Sequence, residues 1–182
     1  PSGRWVYVDL EAQNKLHTYS IQADDTLSPE PLFVSTTLAS PSTSSGGQTT
    51  SSIQMHPTNG RTLYVANRGQ GTEVFQGERV ANGTENTIAV FSIDPQTGEP
   101  TLIQTIETHS IAVRTMALSP DGRTLIAANT LPGKILRQGR VETVPAALTL
   151  YDIEDDGKLT FLSKLDVDTF GETMFWCGVV EY

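Results

Sequence analysis

The sequence predicts an all-β fold, a β-propeller of four-stranded antiparallel blades with about three blades of an expected seven present. Three observations carry this. First, a Gly-Arg turn followed by an alternating apolar strand occurs three times: Pro1-Ser-Gly-Arg-Trp-Val-Tyr-Val-Asp9, His56-Pro-Thr-Asn-Gly-Arg-Thr-Leu-Tyr-Val-Ala-Asn-Arg68 and Ser119-Pro-Asp-Gly-Arg-Thr-Leu-Ile-Ala-Ala-Asn129. Second, Arg4, Arg61 and Arg123 mark the register at spacings of 57 and 62 residues. Such internal periods belong to repeated supersecondary units. Third, no 3.6-residue apolar stripe competes with the period-two alternation.

The remaining elements follow the same repeat. A second alternating strand comes after each Gly-Arg strand, at Leu16–Ile21, Ile88–Ile93 and Leu148–Ile153. An acidic turn follows: Ala23-Asp-Asp-Thr26, Asp94-Pro-Gln-Thr-Gly98 and Glu154-Asp-Asp-Gly157. A further strand begins at Leu32, Leu102 and Leu159, and a preceding strand is visible twice, at Ile53–Met55 and Val113–Leu118. The hairpin turns carry the Asn-Gly, Asp-Gly and Thr-Gly pairs expected of short connections. The blades are expected at about 1–38, 50–108 and 111–166, with closing strands over 167–182. The Gly-Arg turns lie on one face of the propeller. Two long insertions, Gly69–Glu85 and Thr130–Ala146, lie at the opposite face, the channel mouth, where a scaffold usually carries function.

Ser35–Ser52 is a different kind of segment. Twelve of its 18 residues are Ser or Thr, which reads as a flexible, solvated crossover, or alternatively as an O-glycosylated tract. Composition narrows the function. The chain has 182 residues, 37% hydrophobic and 18% charged, with a net charge of −9. An acidic chain without a basic stripe is a poor nucleic-acid binder, and no apolar run is long enough to span a bilayer as a helix. One cysteine, Cys177, excludes an internal disulfide and any Cys-based metal cluster. The three histidines, His17, His56 and His109, are not at metal-ligand spacing.

The repeats resemble a known family. His56-Pro…Gly-Arg-Thr-Leu-Tyr-Val-Ala-Asn-Arg68, Ile88-Ala-Val-Phe-Ser-Ile-Asp-Pro-Gln-Thr-Gly-Glu-Pro-Thr-Leu102 and Val113-Arg-Thr-Met-Ala-Leu-Ser-Pro-Asp-Gly-Arg123 look like the seven-bladed lactonase family, which includes propeller-type 6-phosphogluconolactonases and fungal carboxymuconate cyclases. The ending Glu172-Thr-Met-Phe-Trp-Cys-Gly178 looks more like the fungal branch. The resemblance implies a lactonase, or a lactonizing cycloisomerase, acting on an acidic sugar lactone or a carboxymuconate-type acid, with no cofactor and no metal. An inactive secreted or cell-wall propeller that binds a ligand or partner is the alternative, and a protein–protein scaffold a third reading. It also implies that the chain is less than half of a closed ring, completed by further blades from another chain or from residues beyond those given.

The chemistry needs a cation to hold a carboxylate or phosphate and a group to move a proton. Arg114 begins an innermost strand after a crossover and should point to the mouth; it matches a family position, with Val113 in place of a proline. Arg68, at the end of a second strand, also matches. A structural ion pair is the alternative for each, with Glu73, Glu78 or Glu85 as partners for Arg68. Glu85, Glu73, His109 and Glu172 lie in mouth loops as candidate acids or bases. At the crossover into the second blade, relatives carry Pro-Arg-His where this chain has Thr50-Ser51-Ser52, so an arginine and a histidine are both replaced. His56 is expected to be structural and to bond a neighbouring blade's backbone. Asp94, Asp121, Asp155 and Asp156 are expected to form turns. Cys177 and Trp176 are expected in the core. Asn82-Gly-Thr84 is a glycosylation sequon. With the Ser/Thr tract it points to an extracellular or cell-wall setting, the cytoplasm being the alternative.

Overall fold

The structure is a computed structural model that describes residues 3–41 and 46–180. Three antiparallel sheets stand side by side, one per repeat. Blade one is β1 (Trp5–Leu10), β2 (Lys15–Ser20) and β3 (Phe33–Thr36), in that order. Blade two contains β4 (Gln48–Met55), β5 (Thr62–Gly69), β8 (Thr87–Ile93) and β9 (Pro100–Glu107), and blade three contains β10 (Val113–Leu118), β11 (Thr124–Asn129), β14 (Ala146–Ile153) and β15 (Leu159–Val167). The described part of blade one therefore opens on the strand equivalent to β5 and β11.

The middle blade is buried on both faces. In β5, Leu63 and Val65 face blade one with Leu16, while Tyr64 and Ala66 face blade three with Met116, Leu125 and Tyr151. In β8, Ala89, Phe91 and Ile93 join the first cluster, and Ile88 and Val90 join the second. This is why β5 and β8 read as nearly continuous apolar runs although their side chains alternate. Polar ties recur across the seams. Tyr7 Oη donates to the Gly98 carbonyl at 2.9 Å, and Tyr64 Oη to the Gly157 carbonyl at 3.0 Å. Both glycines have positive φ, and a Cβ on Gly157 would collide with Thr62. Asn67 Nδ2 donates to the Thr37 carbonyl and Thr87 Oγ1, and Asn129 Nδ2 repeats the pattern with the Thr108 carbonyl and Thr149 Oγ1. The Val-Ala-Asn and Ala-Ala-Asn repeats thus fasten each blade to the crossover before it.

His56 is structural, as expected. Its buried Nδ1 accepts from the Thr58 and Asn59 backbone N–H groups, and the ring also hydrogen-bonds the Gly122 backbone in the next blade's turn. Gly122 has φ +74°, and a Cβ there would strike the ring. Burial holds the imidazole below its ordinary value of 6.5. The fold therefore favours the neutral ring, while the unfolded chain takes up a proton near pH 6.5. This contribution is complete above about pH 6.5 and is lost as pH falls from there towards the folded value. Wild type should lose melting temperature between pH 7.5 and 5.5, and His56→Gln should lose less over the same window. Equal losses would contradict the assignment.

The acidic turns form as expected. Asp94 Oδ1 accepts from the Gln96 and Thr97 N–H groups, and Asp121 and Asp156 bind Arg123 N–H and Lys158 N–H; hydrogen bonding holds all three carboxyls below the usual range.

Several expectations are corrected. Each long insertion folds into a hairpin, β6 (Thr72–Phe75) with β7 (Glu78–Ala81), and β12 (Gly133–Arg137) with β13 (Arg140–Val144). The turns are Gln76-Gly77 and Gln138-Gly139, with positive φ at all four positions, the geometry that matches hairpin twist. A Lys134–Glu78 ion pair joins the two hairpins. Within the Ser/Thr crossover, Gln48–Ser52 belong to β4 because they pair towards Ala66–Gly69 of β5; residues 42–45 lie outside the described residues. No closing strand forms among residues 168–180. Blade three supplies no further strand for pairing, and the Met174 N–H is held by the Thr130 carbonyl at 3.2 Å. Trp176 is accordingly 75% exposed, lying over Gly178. Cys177 is half-buried beside the Thr115 hydroxyl, and burial pushes its thiol up.

Candidate functional site

The structure gathers polar residues at the mouth between blades one, two and three. A cleft of about 330 Å³ is lined by Asp9, Glu11, Thr50, Ser51, Arg68 and Arg114. Two local irregularities build it. In blade two, Thr50 pairs with Asn67 and Ile53 with Val65, so Ser51 and Ser52 oppose Ala66 alone. In blade three, Val113 pairs with Asn129 and Thr115 with Ala128, which leaves Arg114 as the extra residue. These are β-bulges at equivalent positions, and a bulge re-aims the side chain it carries. Ser51 therefore occupies in blade two the position that Arg114 occupies in blade three. The Ser51 hydroxyl donates to the Val113 carbonyl at 2.9 Å and ties the two bulges together.

The two arginines are in different electrostatic states. Arg68 is spoken for: Nη2 donates to Glu11 Oε1 at 2.5 Å and Nε to Thr49 Oγ1 at 3.3 Å, with the side chain only 11% exposed. Glu73, Glu78 and Glu85 are not its partners. Arg114 is exposed, with no carboxylate partner among the described residues, and its guanidinium sits 4.7 Å from the Phe175 ring centre. Stacking on an aromatic face leaves the in-plane N–H fork free to bind an anion. Asp9 likewise has no ion pair among the described residues. Thr50 is fully buried at this cleft and its Oγ1 has no hydrogen-bond partner among the described residues. A larger hollow of about 390 Å³, lined by Trp5, Tyr7, Met55, Ile93 and Pro95 among others, belongs to the opposite end of the seam between blades one and two. The smaller cleft is where carboxylates, hydroxyls and an unpaired guanidinium meet.

Other residues singled out from the sequence do not line this cleft. Glu85 accepts from the Ala39 and Ser40 N–H groups and Thr87 Oγ1, so its carboxylate caps a crossover. His109, at φ +58°, packs its ring 4.3 Å from that of Phe161 on the outermost strand of blade three. The nearby Glu107 carboxyl is pushed up by burial, opposed by the His109 charge. Glu172 sits exposed in a turn closed by its own N–H to the Thr169 carbonyl, and Glu73 is exposed on β6. Asn82 donates its amide to the Gly46 carbonyl at 3.2 Å.

Sequence reasoning missed Asp9 and Glu11, although the repeat carried a signal. Aligning Arg4 with Arg61 puts Asp9 where the later blades have Ala66 and Ala128, and puts Glu11 opposite Arg68. A carboxylate at an otherwise apolar repeat position is the exception to look for.

Comparison with known proteins bears on the fold and the family. The profile of the family described as lactonase, 7-bladed beta-propeller, matches residues 1–137. The chain belongs to the seven-bladed β-propeller lactonase family. This lactonase-family chain is similar in fold to a Lactobacillus plantarum protein, with a TM-score of 0.68 and 23% identity over 95% of the chain and 41% of that protein. It is similar also to a periplasmic gluconolactonase of Pseudomonas aeruginosa, with a TM-score of 0.66 and 21% identity over 94% of the chain and 38% of that protein. A 6-phosphogluconolactonase-like protein of Bacteroides fragilis superposes with a TM-score of 0.65 and 19% identity, over 92% and 37% of the two chains. The chain thus spans about two-fifths of the length of these relatives. No curated protein matches its sequence.

Proposed function

We propose that the protein opens a lactone ring by hydrolysis in the cleft of Asp9, Thr50, Ser51 and Arg114. The observation that carries this is the meeting, in a single cleft, of a guanidinium and a carboxylate, Arg114 and Asp9, neither of which has an ion pair among the described residues. Water adds to the lactone carbonyl carbon and the ring C–O bond breaks, leaving a hydroxy acid. Arg114 faces the charge that develops on the carbonyl oxygen, the interaction worth most in acyl transfer. Asp9 takes the proton from the water and returns it to the departing ring oxygen. Family membership and the lactonases among its structural neighbours support this reading. A carboxymuconate-type acid would bring several carboxylates against Asp9 and Glu11, so hydrolysis is the direction these residues favour. On this reading further blades cover the open face of blade three, where Phe161, Leu162 and Leu165 are exposed.

The serine at the Arg114-equivalent position favours a second reading, binding without turnover. Acid release from glucono-1,5-lactone, followed by pH-stat, separates the two. Hydrolysis is expected above the spontaneous rate, and Asp9→Asn is expected to lower it by about 10²-fold or more. No acceleration with any lactone, together with intact binding, would favour the second reading.

A further inference from the structure

The cleft's charge balance indicates which lactones it accepts, given that it opens lactones at all. We infer that the substrate is an unphosphorylated polyhydroxy lactone, and that phosphorylated sugar lactones are discriminated against. Four ionised groups line the cleft, two carboxylates and two guanidinium groups, so their charges cancel. Glu11 already neutralises Arg68 at 2.5 Å. That leaves Arg114 for the carbonyl oxygen in the transition state and for the new carboxylate in the product. Among the described residues, no second unpaired cation lines the cleft to receive a phosphate dianion. At the position equivalent to Arg114 in blade two, the chain has Ser51.

The remaining groups suit hydroxyls instead. Asp9 is a strong acceptor for ring hydroxyls. Ser51 offers a hydroxyl oxygen with acceptor capacity left after donating to Val113. Thr50 Oγ1 lies buried with its hydrogen-bonding capacity unused, which costs stability unless something pairs with it. A polyol ligand would pair with this orphan hydroxyl only after the Thr50 side chain turns towards the cleft. The net charge of −9 acts in the same direction, since it opposes the approach of a dianion more than of a neutral ring.

The test compares kcat/KM for glucono-1,5-lactone and its 6-phosphate on the purified protein, on wild type, Ser51→Arg and Glu11→Gln. Wild type is expected to favour the unphosphorylated lactone by about tenfold or more, the worth of one charge-assisted hydrogen bond. Ser51→Arg adds a cation at the bulge and should narrow or reverse that ratio by a similar factor. Glu11→Gln frees Arg68 without adding bulk and should shift it the same way, which covers the case in which the new arginine is not accommodated. A wild-type preference for the phosphate ester overturns the inference while leaving lactone hydrolysis standing. A preference that neither substitution moves overturns the charge argument. Absence of turnover with both lactones overturns the functional reading and this inference with it.

Discussion

Arg114→Ala is expected to reduce lactone kcat/KM by roughly 10- to 100-fold, because it removes a charged donor from the developing oxyanion, a loss of about 1.5–3 kcal/mol. The loss should fall mainly on kcat, since a neutral lactone places little charge on the guanidinium before the transition state. Arg114→Lys should recover only part of the activity, because an ammonium neither forms the planar fork nor stacks as a plane on Phe175. Folding should be little disturbed, as Arg114 is exposed and makes no ion pair among the described residues. Arg68→Ala should behave differently. It strips the Glu11 carboxylate and Thr49 of their partner and leaves new negative charge in the cleft.

Tyr64→Ala should be the most destabilising single change. The ring is fully buried between blades two and three, packed in the cluster that includes Met116, Leu125, Tyr151 and Leu159. Truncating an aromatic in such a site costs about 3–5 kcal/mol. The hydroxyl adds its bond to the Gly157 carbonyl at 3.0 Å, so Tyr64→Phe isolates that part and should cost about 1 kcal/mol. Urea unfolding of wild type and the two variants measures both steps. A Tyr64→Ala loss under 1 kcal/mol would mean that the two blades do not depend on this seam.

The repeat unit was legible because three copies agree. The Gly-Arg turn, the alternating strand and the acidic turn each occur at matching positions, and all three blades follow them. The Tyr64 tie was half visible, since Tyr7 and Tyr64 occupy the same register position while the third copy has Ile126. The hairpins in the insertions were not read, because Gln76 and Gln138 replace the asparagine or glycine usually found at the first position of such turns. The C-terminal segment misled because an apolar pattern such as Met174-Phe-Trp-Cys177 implies a strand only where a neighbouring strand is available to pair.

The site was legible in part for a geometric reason. Arg68 and Arg114 are named by the family pattern, and both line the cleft. What the linear sequence does not show is that Arg114 is a bulge residue, that Ser51 is its counterpart, and that Glu11 is the partner of Arg68 across 57 residues. These facts depend on register and on which blades are neighbours. Glu85 and His109, read from the sequence as mouth residues, do not line the cleft and are held by a crossover and an outer strand, respectively. A position on the right face is therefore not sufficient; the side chain must also be unclaimed.

The central claim is that chemistry occurs where Asp9, Thr50, Ser51 and Arg114 meet. A crystal structure of the protein with gluconate, the product of glucono-1,5-lactone opening, tests it most directly. The account predicts the ligand carboxylate on the Arg114 guanidinium and its hydroxyls on Asp9 and Ser51. Gluconate bound instead in the hollow of Trp5, Tyr7 and Met55, with Arg114 making no contact to it, would contradict the account.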